Sequence, residues 1–271
     1  MQDYDQAIRL QPDMVNAFNN RGIVYWCKGD YDRAIKGFDQ SIRLQPDYFK
    51  AFYNRGGVHL DKGEYDLAIQ DYDESLRIKP DYVVAWSNRG LVYIMKGNYD
   101  RAIEDENQAL RLKPDHLCSL GFRARAYFEK GDFVRALADD DQALRLRPDV
   151  ASYWNNRCWH RAVMGDLQAA LVDCNQSLHL LENNKDTLDS RGFVYLKMKD
   201  ADAAIADYNA ALARDPKLAS SLYGRGLAEG IKGNRAASDA DIAAAKAIQP
   251  TIADEFTKWG VPATMPPKAE E

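Results

Sequence analysis

Proline recurs at Pro12, Pro46, Pro80, Pro114 and Pro148, each 34 residues after the last; the series skips Glu182 and resumes at Pro216 and Pro250. A period of this length constrains the fold before any element is assigned. Each period has to be one supersecondary unit that buries its apolar face against its neighbours. Seven full periods follow one another: 15–48, 49–82, 83–116, 117–150, 151–184, 185–218 and 219–252. Each reads as two helices. In the first, Phe18, Gly22 and Tyr25 share one helical face, Gly29 and Asp30 break the chain, and Tyr31, Ala34, Phe38 and Ser41 form a second face that ends before proline.

The small residues have a packing purpose. Gly22, Gly56, Gly90, Gly192 and Gly226, with Ala34, Ala68, Ala102, Ala136, Ala170 and Ala204, let paired helices approach closely, and the large residues fill what remains. The pattern of an aromatic, glycine, tyrosine, alanine, an aromatic and proline resembles that of the tetratricopeptide repeat (TPR) family at that family's spacing. The resemblance covers residues 1–260. It implies an all-α fold, a right-handed α-α superhelix (TPR solenoid), with first helices lining a concave face and second helices the convex one. It also implies one cooperative array over 1–260.

The ends depart from the period. Residues 1–14 match only a second helix, with Tyr4, Ala7 and Pro12 in register with Phe38, Ser41 and Pro46. Either the chain is a piece of a longer protein or this lone helix caps the first full repeat. Residues 253–260 read as a capping helix that shields the last apolar face, Pro262 stops it, and 261–271 reads as a disordered tail.

With 46% hydrophobic and 28% charged residues the chain is too apolar to be disordered. Its net charge of −5, with 36 basic and 41 acidic residues interspersed, offers no cationic face to a phosphate backbone, so nucleic acid is not an expected partner. No apolar run of membrane-spanning length and no signal-peptide pattern is visible. The four cysteines show neither zinc-site spacing nor the density of a disulfide scaffold, which fits a reducing, cytoplasmic setting.

Candidate binding residues fall on the first helices. Asn20, Asn54, Asn88 and Asn156 share one repeat position, interrupted by Phe122. A primary amide carries donor and acceptor together, so a ladder of them can bind a peptide backbone without reading its side chains. The arrangement resembles the asparagine ladder in the TPR superhelix of O-linked N-acetylglucosamine transferase. Trp26, Leu60, Ile94, Phe128 and Trp159 add an apolar stripe on the implied concave face. Packing between successive first helices is the competing account of that stripe. The carboxylate clamp of TPR co-chaperones is incomplete: Asn20, Asn54 and Lys50 are present, but Asn19, Tyr53 and Ser87 stand where its second lysine is required, and its arginine is missing.

Arg21, Arg55, Arg89, Arg123, Arg157, Arg191 and Arg225 precede the glycine position, where the family usually has leucine, and Asp71, Asp105, Asp139, Asp173, Asp207 and Asp241 recur on second helices. Structural ion pairs between the helices are the simplest account. In mid-array, Glu106 and Asp140 replace an aromatic residue and Arg161 replaces a tyrosine. Arg157 or Arg161 is expected to neutralise Asp140, and Arg123 or Tyr127 to serve Glu106.

No catalytic motif is present: the four histidines form no ligand pair, and no phosphate loop or nucleophile elbow appears. No metal and no cofactor is expected. The expected function is a non-enzymatic scaffold or adaptor that binds a peptide segment of a partner protein in the concave groove. The alternatives are the substrate-recruiting portion of a larger transferase or signalling enzyme, and a scaffold that self-assembles through its open N-terminal end.

Overall fold

The computed structural model describes residues 2–262. The tail expected at 261–271 therefore lies, from residue 263 onward, outside the described residues. After α1 (Gln2–Leu10), the described residues form seven helix pairs and a last short helix. The pairs are α2 (Val15–Cys27) with α3 (Tyr31–Leu44), α4 (Phe49–Asp61) with α5 (Tyr65–Ile78), α6 (Val83–Met95) with α7 (Tyr99–Leu112), and α8 (Leu117–Glu129) with α9 (Phe133–Leu146). Next come α10 (Ala151–Met164) with α11 (Leu167–Leu180), α12 (Lys185–Lys197) with α13 (Ala201–Arg214), α14 (Ala219–Ile231) with α15 (Arg235–Ile248), and finally α16 (Ile252–Lys258). The chain divides after Gly131 into two compact units. The division separates α8 from α9, the two helices of the fourth period.

Local chemistry sets the helix ends. Asp30, Asn98, Asp132 and Asp200 each accept a hydrogen bond from the backbone N–H three residues on, capping α3, α7, α9 and α13. Each proline forbids the α region to the residue before it. Accordingly Gln45, Lys113, Asp215 and Gln249 are extended (φ −135 to −143°) and end α3, α7, α13 and α15. Where Glu182 replaces proline, Leu181 is extended all the same (φ −141°), and the chain then passes through Asn183 in the left-handed region (φ 58°).

Within a pair, residues 16 apart meet. Gly22 faces Phe38 and Gly192 faces Tyr208; a Cβ at either glycine would come within 2.7–2.8 Å of the ring. Phe38, Tyr72 and Tyr208 are fully buried, as are Ala34, Ala68, Ala102, Ala136, Ala170 and Ala204. Tyr208 is gripped from both sides, since a Cβ at Gly224 in the next pair would lie 2.3 Å from its Cζ.

The fifth period solves the same contact covalently. Cys158 stands at the glycine position and Cys174 at the aromatic one, both are buried, and a disulfide joins them with Cα atoms 5.4 Å apart. Cysteine count and spacing alone do not reveal this pair. The pair escapes a search for cysteine-rich spacing because the repeat register, not sequence proximity, brings the two thiols together. Cys27 and Cys118 are exposed and unpaired.

Reducing the Cys158–Cys174 bond is expected to lower stability by about 3 kcal/mol, the closure entropy of a loop of roughly 15 residues. Denaturant unfolding with and without reductant measures this. Cys158→Gly with Cys174→Tyr, which restores the glycine and aromatic contact, should unfold identically in both conditions.

Candidate functional site

The first helices of unit 1 carry most of the predicted groove residues, and the 34-residue step sets how they meet. Position 6 of one first helix comes against position 5 of the helix before it. Asn54 Nδ2 donates to Asn19 Oδ1 at 2.9 Å, and Asn88 Nδ2 donates to the Tyr53 hydroxyl at 3.0 Å. Asn20 Oδ1 accepts from Asn19 Nδ2 at 3.3 Å. One N–H of each of Asn54 and Asn88 is thus bonded to the neighbouring helix, which orients the amides, and Asn54 is itself buried. Asn156, in unit 2, is exposed.

The apolar stripe divides. Ile94 and Phe128 are buried within unit 1. Trp26 is half-buried: its ring fills the space that the missing side chain of Gly57 leaves on α4, and its Nε1 donates to Asp61 at 2.6 Å. Leu60 is half-buried, and Met95, one position past Ile94 on α6, is 48% exposed. In unit 2, Trp159 packs edge-on against Trp259 at 4.7 Å.

Sequence reasoning passed over the aromatics at the turns between pairs. Tyr82 lies edge-on to Phe49 at 4.9 Å and to Tyr53 at 5.1 Å, while the Tyr48 hydroxyl donates to Asn16 at 2.7 Å. The signal was available: Tyr48 and Tyr82 occupy the last position of successive periods.

The arginines form a regular clamp. Arg55 grips Asp71 with Nε and Nη2 at 2.9 and 2.6 Å and reaches back with Nη1 to Asp39 on the preceding second helix. Arg89 does the same with Asp105, and Arg157 with Asp173 and Asp141. In the last two periods Asn175 and Asn209 replace the second aspartate, accepting from Arg191 and Arg225, which grip Asp207 and Asp241. Arg123 donates to Asn107 at 2.7 Å. Gly37 stands where Arg21 would otherwise find its aspartate, and the Arg21 guanidinium lies over the Phe18 ring at 5.4 Å. Bidentate, half-buried pairs of this kind fix geometry more than they add net stability.

Neither buried acid is paired as the sequence predicted. Asp140 is bonded by His160 Nδ1 at 2.6 Å; Arg161 instead joins Arg157 on Asp173. The reason is position: Arg161 lies four residues from Arg157 on α10, so both reach the same carboxylate. Glu106 is fully buried against Gly90, whose missing side chain admits the carboxyl. Neither of its oxygens has a hydrogen-bond partner among the described residues, and burial pushes its pKa well above the usual carboxylate range, opposed by the nearby Ser119 and Ser87 hydroxyls and weakly by Arg123.

No group of three metal-ligating side chains that could hold an ion occurs among the described residues, and no helix there is long and apolar enough to cross a membrane. Tetratricopeptide-repeat family profiles match residues 2–40, 20–83, 83–116 and 186–218, more than half of the chain. The chain belongs to the tetratricopeptide repeat family. No curated protein matches it in sequence. Among solved structures, a TPR protein from Parabacteroides merdae aligns with a TM-score of 0.75 at 17% identity, over 96% of this chain and 100% of that one. A chain of the APC/C hetero-tetramer Cut9-Hcn1 gives 0.72 at 22% identity, over 83% of this chain and 45% of its own, so this TPR chain spans less than half the length of that relative. YrrB, a TPR protein with an unusual peptide-binding site, gives 0.56 at 16% identity, over 69% of this chain and 97% of its own. At these identities the likeness is one of fold: an all-α TPR array.

Two outcomes follow. Arg89→Leu alone, which strands Asp105, should cost about 3–5 kcal/mol, whereas Arg89→Leu with Asp105→Leu should recover most of that loss; chemical denaturation of the two single variants and the double variant completes the cycle. For Glu106 the sign is set by proton linkage. Its folded-state pKa is raised, so the native chain binds the extra proton, and stability falls as pH rises above the unfolded value of about 4.3. Glu106→Gln should flatten that decline and raise neutral-pH stability by more than about 1 kcal/mol, read from melts across pH 4 to pH 8.

Proposed function

We propose that this TPR array is a non-enzymatic scaffold that holds a peptide segment of a partner protein on the first-helix face of unit 1. The observation that carries the reading is the amide rail. Asn20, Asn54 and Asn88 recur at one repeat position, and interhelical hydrogen bonds fix Asn54 and Asn88 in register. Half-buried Trp26 and Leu60 and exposed Met95 run alongside. A polar line at repeat spacing next to apolar side chains suits an extended segment or an amphipathic helix, with the aromatic side chain as anchor. The peptide-binding site of YrrB, a fold neighbour, supports the same use of the architecture.

Asn156 and Trp159 belong to unit 2 and serve this reading only if its first-helix face is also open. Self-association is a separate reading, which rests on α1, where Leu10 is 75% exposed.

Peptides selected by display against the wild-type chain should bind an Asn20, Asn54 and Asn88 triple alanine variant more weakly, by about 1 kcal/mol per amide bonded to the ligand. Circular dichroism must show the variant folded, because Asn54 and Asn88 also link helices. Equal affinity in a folded variant would remove the rail from the binding site.

A further inference from the structure

In unit 2 the first helices α12 and α14 each pack on the second helix before them and on the first helix before that. α16 likewise touches α15 and α14, but its aromatic side chains reach further along the first helices. The Phe256 ring lies 4.8 Å from Tyr223 on α14 and 5.6 Å from Phe193 on α12. Trp259, just beyond the helix, lies 6.1 Å from Phe193 and 4.7 Å from Trp159 on α10, three pairs back. The segment therefore crosses the first-helix face from α14 toward α10. Lys197, at the end of α12, fastens its far end: Nζ donates to the Trp259 carbonyl at 3.0 Å and to the Ala162 and Val163 carbonyls of α10 at 2.8 and 3.0 Å.

The crossing segment has the chemistry of a ligand. Ile252, Phe256 and Val261 are each 1% exposed, while Asp254, Thr257 and Lys258 face solvent. Ile252, Phe256 and the half-buried Trp259 fall at i, i+4 and i+7, the spacing of one face of a helix. Seven residues are too few for a helix to hold its own shape in water, so its order comes from the surface beneath it. Pro250, which cannot donate a backbone hydrogen bond, separates it from α15.

We infer that the first-helix face of α10, α12 and α14 is a docking site for a short amphipathic helix of a partner protein, and that α16 is its resident, displaceable occupant. The partner segment presents an aliphatic and two aromatic side chains at i, i+4 and i+7, the pattern of Ile252, Phe256 and Trp259. The inference rests on reading first-helix faces as peptide-binding and extends that reading to unit 2 with a named ligand chemistry. A tethered occupant competes at an effective concentration on the order of mM, so an incoming helix is shut out until the C-terminal segment is released.

The test uses the full chain and a fluorescein-labelled peptide of residues 250–262, read by fluorescence anisotropy. Two variants release α16 without touching the face: Phe256→Ala with Trp259→Ala, and Thr257→Pro, which breaks the helix at an exposed position. Each should bind the labelled peptide at least tenfold more tightly than the wild type, and a peptide carrying the two alanines should not bind. Hydrogen exchange should show α16 unprotected in both variants and α12 and α14 still protected. Binding no tighter than wild type in a variant whose α12 and α14 remain protected would overturn the inference. So would loss of protection throughout unit 2 in both variants, which would make α16 an integral part of the core. A dimer that appears with concentration while α16 stays protected would mean that copies exchange the segment, and would overturn the assignment to a partner protein. The asparagine variant reads unit 1 alone, so the two readings fail separately.

Discussion

Close approach of two helices 16 residues out of register is the constraint on which the rest depends. It places a glycine of the first helix against a large side chain of the second, at Gly22 and Phe38 or Gly192 and Tyr208. One position earlier on each helix, the same geometry sets arginine against aspartate, as in Arg89 and Asp105. The apolar contact excludes water and the neighbouring guanidinium closes its edge, while the core continues from one pair to the next, as it does in unit 2 from Cys158 to Val261. A Cβ at the glycine would separate the helices and, with them, both interactions.

Departures from this contact are where the chain acquires individuality. Glu106 fits only because Gly90 opposite lacks a side chain, and its buried oxygens have no hydrogen-bond partner among the described residues. Asp140 draws in His160 instead. Cys158 and Cys174 convert the contact into a covalent bond. Three successive solutions at one repeat position, in the third, fourth and fifth periods, concentrate the unusual chemistry in the middle of the chain while the helix geometry stays regular.

The first-helix faces of the two units differ in what covers them. In unit 1 the amides and Trp26 link neighbouring helices and leave half-exposed side chains along the face. In unit 2 Phe193, Tyr223 and Leu227 are almost fully buried, and the chain's own C-terminal segment packs on Phe193 and Tyr223. A face that binds its own chain with aromatic contacts and a lysine bracket is chemically matched to a helical guest, which is why occupancy of this surface, and not its composition, governs access to it.

The period, the two helices in each repeat and the small residues between them were legible in the sequence, because backbone rules act locally: proline restricts the residue before it, and a 3.6-residue periodicity sorts core from solvent. Repeat positions also placed each arginine and aspartate in recurring register. What the sequence left open were choices among equivalent neighbours. Whether Arg161 would reach Asp140 or Asp173, whether the asparagines would bond a guest or the helix beside them, and whether Cys158 would meet Cys174 depend on side-chain distances set by packing. The path of α16 was least legible, since residues 252–261 carry the apolar pattern of another first helix. Only the tertiary structure decides that this pattern, besides touching α15, is satisfied against α14, α12 and, through Trp259, α10.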